Sequence, residues 1–292
     1  MGRMGFAWKV AWLAWAFILV RVITALAAAA PPDAAATRSD SPSPAELRAL
    51  DHLLERSGLK GQLETLSAGV RAQFLRGQLR DQDRITIDRI VLAHFNAEVL
   101  YARMALELAH GVDAAKLTEA LAWYDSPLGR RVTAVELAAR FGGERDASLA
   151  PEADRPSSGR VALVERLDAG LGASETTVDI TVAVVRGLVE ALQPSLPALA
   201  NLSRSQLDEQ LAVARNRTLA VFKPAYIAGM LVAYQSLSDD ELSAYLRFVE
   251  SDAGRWYMSQ TNSALLRAIE VAARATAAEL APALPPLAAE LR

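Results

Sequence analysis

Apolar positions recur along this chain at helical spacing, and capping residues divide them into segments. Ser43-Pro44-Ala45-Glu46 reads as a helix start: serine caps, proline suits the first turn and Glu46 completes a capping box. Leu47, Leu50, Leu53 and Leu54 form one stripe, and Gly58 ends it. A second helix runs to about Arg80. A third covers about Asp83–Ala109 on Ile87, Ile90, Val91, Phe95, Val99 and Met104, and stops at His110-Gly111. Asp113 caps a fourth, with Leu117, Leu121 and Tyr124 apolar. Ser126-Pro127 opens a fifth on Val132, Val135 and Ala139.

Residues 142–160 are rich in glycine, proline, serine and charge and read as a linker. The pattern then restarts, Leu163-Val164-Glu165-Arg166 echoing Leu53-Leu54-Glu55-Arg56. Thr176–Val185 has strand propensity, but the length of Glu175–Leu192 and its helical neighbours favour a helix. Leu207–Ser236 reads as helical, with Pro224 marking a kink or a new start. Ser238-Asp239-Asp240-Glu241 is another capping box, and Ser251 caps a last long helix carrying Trp256, Leu265, Leu266, Ile269 and Ala273.

The stretch from Leu121 to Arg130 (LAWYDSPLGR) returns as Leu246 to Arg255 (LRFVESDAGR), 125 residues on. Leucine, an aromatic, serine, glycine and arginine keep register. Two copies of one helix-joint signature imply a tandem duplication of a helical module, packed as two bundles or as one fused bundle with pseudo-twofold symmetry. In each joint Ser126 or Ser251 suits the first turn of the next helix, and Gly129 or Gly254 lies where adjacent helices meet. The functional alternative is an anion site at the helix N-terminus, with Arg130, Arg131 and Arg255 as its candidates.

Composition supports packed helices: alanine supplies 57 of the 292 residues and aromatics only 6%. With no cysteine there are no disulfides, thiol nucleophiles or cysteine-bound metals. Arg3 and Lys9 precede an apolar run, and Ala25-Leu26-Ala27 offers a small-x-small cleavage site, so residues 1–27 read as a secretory signal peptide. The alternative is an uncleaved inner-membrane anchor. Arg21 near its middle disfavours that by about 2.5–3.5 kcal/mol on insertion scales. Loss of the leader's Arg3, Lys9 and Arg21 takes the net charge from −3 to −6, which disfavours nucleic acid as a partner.

The joint L-x-x-[FY]-[YV] running into S-P-x-G-[RK] resembles the bacterial family catalogued as domain of unknown function 2059. Trp123-Tyr124, Ser126-Pro127, Gly129 and Arg130-Arg131 carry the likeness in the first copy. The second departs at Val249, where tyrosine is usual, and at Asp252, where proline is usual. The resemblance implies an all-helical, exported protein and brings no catalytic residues.

Candidate chemistry is sparse. Glu107 and His110 have the Glu-x-x-His spacing of di-iron bundles, but the matching position to His110 is Gln235, so no metal or other cofactor is expected. His94 with Glu98 and His52 with Glu55 read as surface pairs. No G-x-S-x-G, P-loop or H-E-x-x-H occurs. The expected plan is all-α: a signal peptide (1–27), a flexible tether (28–43), helical unit 1 (44–141), a linker (142–160), helical unit 2 (161–281) and a tail (282–292). The expected role is a non-catalytic periplasmic or secreted module that binds another envelope protein or a peptide. It would touch membrane only through an uncleaved leader. The alternative is a periplasmic enzyme whose site is not visible in the sequence.

Overall fold

The computed structural model describes residues 42–76, 80–141, 156–193 and 202–283. The leader, most of the tether and linker, and all but the first two residues of the tail lie outside them. The fold is all-α. Among the described residues the order is α1 (Pro44–Arg56), α2 (Leu59–Phe74), α3 (Asp81–Phe95), α4 (Ala97–Ala109), α5 (Ala114–Asp125), α6 (Pro127–Phe141), α7 (Ser158–Leu171), α8 (Ala173–Leu192), α9 (Arg204–Ala233), α10 (Asp239–Val249) and α11 (Asp252–Ala283), with no strand.

Local chemistry sets many of these boundaries. Ser43 and Glu46, Ser203 and Gln206, and Ser238 and Glu241 form reciprocal capping boxes, and Asp113 accepts from Lys116 N–H. Gly58 and Gly172 adopt positive φ (71° and 62°) at the α1–α2 and α7–α8 turns, where a Cβ would be strained.

Three helices differ from the sequence expectation. The second, expected to run to about Arg80, ends at Phe74, and Arg80 instead precedes α3. The segment expected as one helix over Asp83–Ala109 breaks at Asn96, which turns extended and caps α4 by accepting from Val99 N–H at 2.9 Å. Helix α9 runs unbroken through Pro224. Pro224 and Ala220, whose carbonyl loses its usual N–H partner, are both exposed, so water can take the place of that bond.

The main apolar core runs from Leu50 on α1 to Leu280 on α11, so residues on both sides of 142–155 share one body, and a smaller cluster of Val185, Leu207 and Leu211 lies between α8 and α9. Helix α11 lies at its centre, packing on α8, α3, α4 and α5. Its inner side is built from small residues: Ala264, Ala268, Ala272, Ala273 and Ala277 are all buried. Opposite them, a Cβ on Gly187 would stand 2.6 Å from Ala273 Cβ, so the α8–α11 contact depends on the missing side chain. Among the described residues no helix is long and apolar enough to cross a membrane.

Candidate binding groove and the paired joints

The two joints repeat one hydrogen-bond pattern. Gly129 N–H donates to Ser126 Oγ at 2.9 Å, and Gly254 N–H to Ser251 Oγ at 3.0 Å. Arg130 donates through Nη1 to Asp125 O, and Arg255 does the same to Glu250 O. A Cβ on Gly129 would lie 2.9 Å from Tyr124 Cα, and one on Gly254 3.0 Å from Val249 Cα, so each glycine lets its helix begin against the backbone of the one before. Pro127 opens α6 at the turn, and Tyr124 is buried beneath it. At each joint, the acid just before the serine is paired: Arg56 with Asp125 at 2.9 Å and Arg166 with Glu250 at 2.8 Å.

The joints also meet one another. Trp123 stacks on Phe248 with centroids 4.1 Å apart and planes 5° from parallel. Tyr124 packs edge-on to Phe248 and Tyr257. Arg131 donates to Ser236 O at 2.8 Å, while Trp256, 125 residues after Arg131, donates to Gly111 O, 125 residues before Ser236. Arg131 also pairs with Glu241 at 3.3 Å. All three anion-site candidates, Arg130, Arg131 and Arg255, are therefore engaged with backbone carbonyls. Glu136 sits behind the stack and accepts from Tyr234 at 2.7 Å and Tyr245 at 2.9 Å. Burial raises the phenols of Tyr124 and Tyr245 well above their ordinary range and pushes Tyr257 up to about 12.

The histidines do not converge. His94 contacts Glu279 at 2.7 Å rather than Glu98, whose carboxylate pairs with Lys60 at 2.6 Å. His52 accepts from Arg56 at 3.1 Å rather than pairing with Glu55. The His110 ring meets Leu106 O at 2.8 Å, and Glu107 pairs with Arg267 at 2.7 Å. These partners come from other helices or the next turn, which is why i,i+3 and i,i+4 spacing missed several of them. Among the described residues no three His, Asp or Glu side chains gather as a metal site.

A shallow concavity lies on the face formed by α8, α9 and α11. Helices α9 and α11 both lie on α8, and an open groove of about 270 Å³ is lined by all three. Half of its lining is apolar: Val182 and Ala183 from α8, Leu211 and Ala212 from α9, and Leu266 from α11. Helix α8 runs antiparallel to α9, so ion pairs close both ends. Arg215 reaches Asp179 and Glu175 at one end, and Arg186 reaches Asp208 and Glu270 at the other. Asp179 and Glu175 hold the Arg215 guanidinium above its ordinary range. The sequence reading gave these residues no role, because they come from three helices spread over about a hundred positions.

A second polar cluster is structural. Asp168, 1% exposed, accepts from both the N–H (2.8 Å) and the hydroxyl (2.7 Å) of Ser174 and lies 3.4 Å from Lys223 Nζ. It caps α8, and Ser174 is too deeply buried to meet a substrate.

No family model, characterised protein or solved structure matches the chain.

Proposed function

We propose that this protein is an exported, non-catalytic helical module that binds another envelope protein or a peptide through the groove between α9 and α11. The groove's lining carries the reading. Its floor is aliphatic, and its guanidinium groups are already paired with carboxylates. It contains no serine, threonine, cysteine or histidine to serve as nucleophile or base. Its volume falls just below the roughly 300–1,000 Å³ of pockets that enclose a small ligand, and an open trough suits a few side chains of a larger partner.

Export rests on the basic, apolar and small-residue order of residues 1–27, and on the resemblance of the joint to the exported family of unknown function 2059. The same residues support descent by tandem duplication, as do the matching joint hydrogen bonds and the reciprocal contacts of Arg131 and Trp256. In this reading the joints hold the body together and the groove recognises the partner.

The test is photo-cross-linking in the native envelope from Ala212 in the groove and from exposed Ala102 on α4. A discrete adduct from Ala212 alone is expected. Its partner, once identified and purified, should bind the full chain and lose binding to Ala212→Trp at unchanged melting temperature. Equal adducts from both positions, or binding indifferent to Ala212→Trp, would overturn the reading.

A further inference from the structure

We infer that the groove's occupant is an amphipathic helix with basic flanks, an inference that rests on reading the protein as an interaction module. The argument begins with shape. The trough runs between two helices along a third, and its charged ends at Asp179 and Arg186 are seven residues apart on α8. At 1.5 Å per residue that is about 10 Å, two turns of a helix laid in the trough. Between those ends Val182, Ala212 and Leu266 present only methyl and methylene groups, over the buried Ala183 and Leu211. Such a floor takes the i, i+3, i+4, i+7 face of a helix, which satisfies its own backbone hydrogen bonds and needs no polar partner from below. An extended strand would leave its N–H and C=O groups facing hydrocarbon.

Charge then selects among helices. The guanidinium groups lean inward, with side chains 23% (Arg186) and 28% (Arg215) exposed. Two of their partners face out, Asp208 at 48% and Glu175 at 53% exposed, while Asp179 at 25% lies as deep as Arg215. Asp179, Asp208, Glu270 and Glu175 outnumber Arg186, Arg215 and Arg274, the last of which pairs with Glu270, and they come from all three bordering helices. A helix seated here meets an acidic rim on both sides, which favours lysine or arginine beside its apolar stripe and repels acids there.

Glu175 and Glu270 are the rim groups to change, because their contacts with arginine are long (3.4 Å, and 3.8 to 4.0 Å) and the tighter pairs survive their loss. Fluorescence anisotropy of the full chain would use three labelled peptides. One is a Leu/Lys helix with leucine at i, i+3, i+4 and i+7, one has glutamate in place of lysine, and one scrambles the Leu/Lys order. The Leu/Lys helix should bind and the other two should not. Glu175→Lys with Glu270→Lys should weaken that binding about tenfold in low salt, with the difference shrinking as salt is raised. Ala212→Trp, on the exposed wall, should abolish it without lowering the melting temperature.

Equal binding of the scrambled peptide would overturn the inference, since attraction would then need no apolar face. Tighter binding of the Leu/Glu helix, lost in Ala212→Trp, would overturn the charge assignment and leave the interaction module standing. Binding of none of the three, or binding unaffected by Ala212→Trp, would count against both.

Discussion

Trp123 and Phe248 hold corresponding places 125 residues apart in the chain, and they lie face to face, their rings 4.1 Å apart. A residue in contact with its own counterpart is what a twofold relation between the two joints would produce. The contacts of Arg131 with Ser236 O and of Trp256 with Gly111 O show the same 125-residue offset.

Stacking between these two rings should be measurable apart from the area they bury. A double-mutant cycle on Trp123→Leu and Phe248→Leu, read by denaturant unfolding, should give a coupling of about 0.5–1.5 kcal/mol. A coupling near zero would mean the rings are neighbours without a specific interaction.

The joint glycines should tolerate no side chain. Gly129→Ala and Gly254→Ala each place a Cβ against rigid backbone, so each should destabilise by about 1–3 kcal/mol. In a surface helix the same change would stabilise. Thermal unfolding of the two variants distinguishes these outcomes by sign.

Arg130 and Arg255 should matter to stability alone. Each donates to the last turn of the preceding helix, so alanine at either should cost about 0.5–1.5 kcal/mol. Calorimetric titration of both variants with any identified ligand should give affinities unchanged from the parent. A lost anion-binding enthalpy at constant melting temperature would make the joint a recognition site.

Tyrosine ionisation should report the core at high pH. Burial raises Tyr124, Tyr245 and Tyr257, and Tyr101 is raised by burial together with its hydrogen bond to Asp51. A folded-state pKa above the unfolded value of about 10 means the stabilisation is complete below pH 10 and falls as pH rises through the folded values, near 12 for Tyr257. Ultraviolet titration should therefore show at least these four of the six tyrosines ionising above the ordinary range. Smooth titration of all six near pH 10, with helicity intact, would contradict the buried cluster.

Helix ends were legible where one side chain decides them. Ser43, Asp113, Ser238 and the joint serines each accept from a backbone N–H two or three residues on, a contact that spacing alone announces. The break at Asn96 was missed because Phe95, Val99 and Met104 can be read as one stripe, whereas the buried set jumps five positions from Phe95 to Leu100 and asparagine followed by Glu98 in the next turn is a capping signal. The pairing of the joints and the acceptance of two phenols by Glu136 depend on residues about a hundred positions apart, beyond any local pattern. The groove stayed invisible for the same reason.

The most direct test of the groove as the recognition surface is methyl NMR of the full chain titrated with the basic Leu/Lys helix. Val182, Leu211 and Leu266 line the groove from its three helices. We expect saturable shifts at these methyls, with Leu53, Leu100 and Leu117 in the distant core unmoved. Shifts absent from the three groove residues, or centred instead on the joint around Leu128 and Val132, would contradict the proposed function.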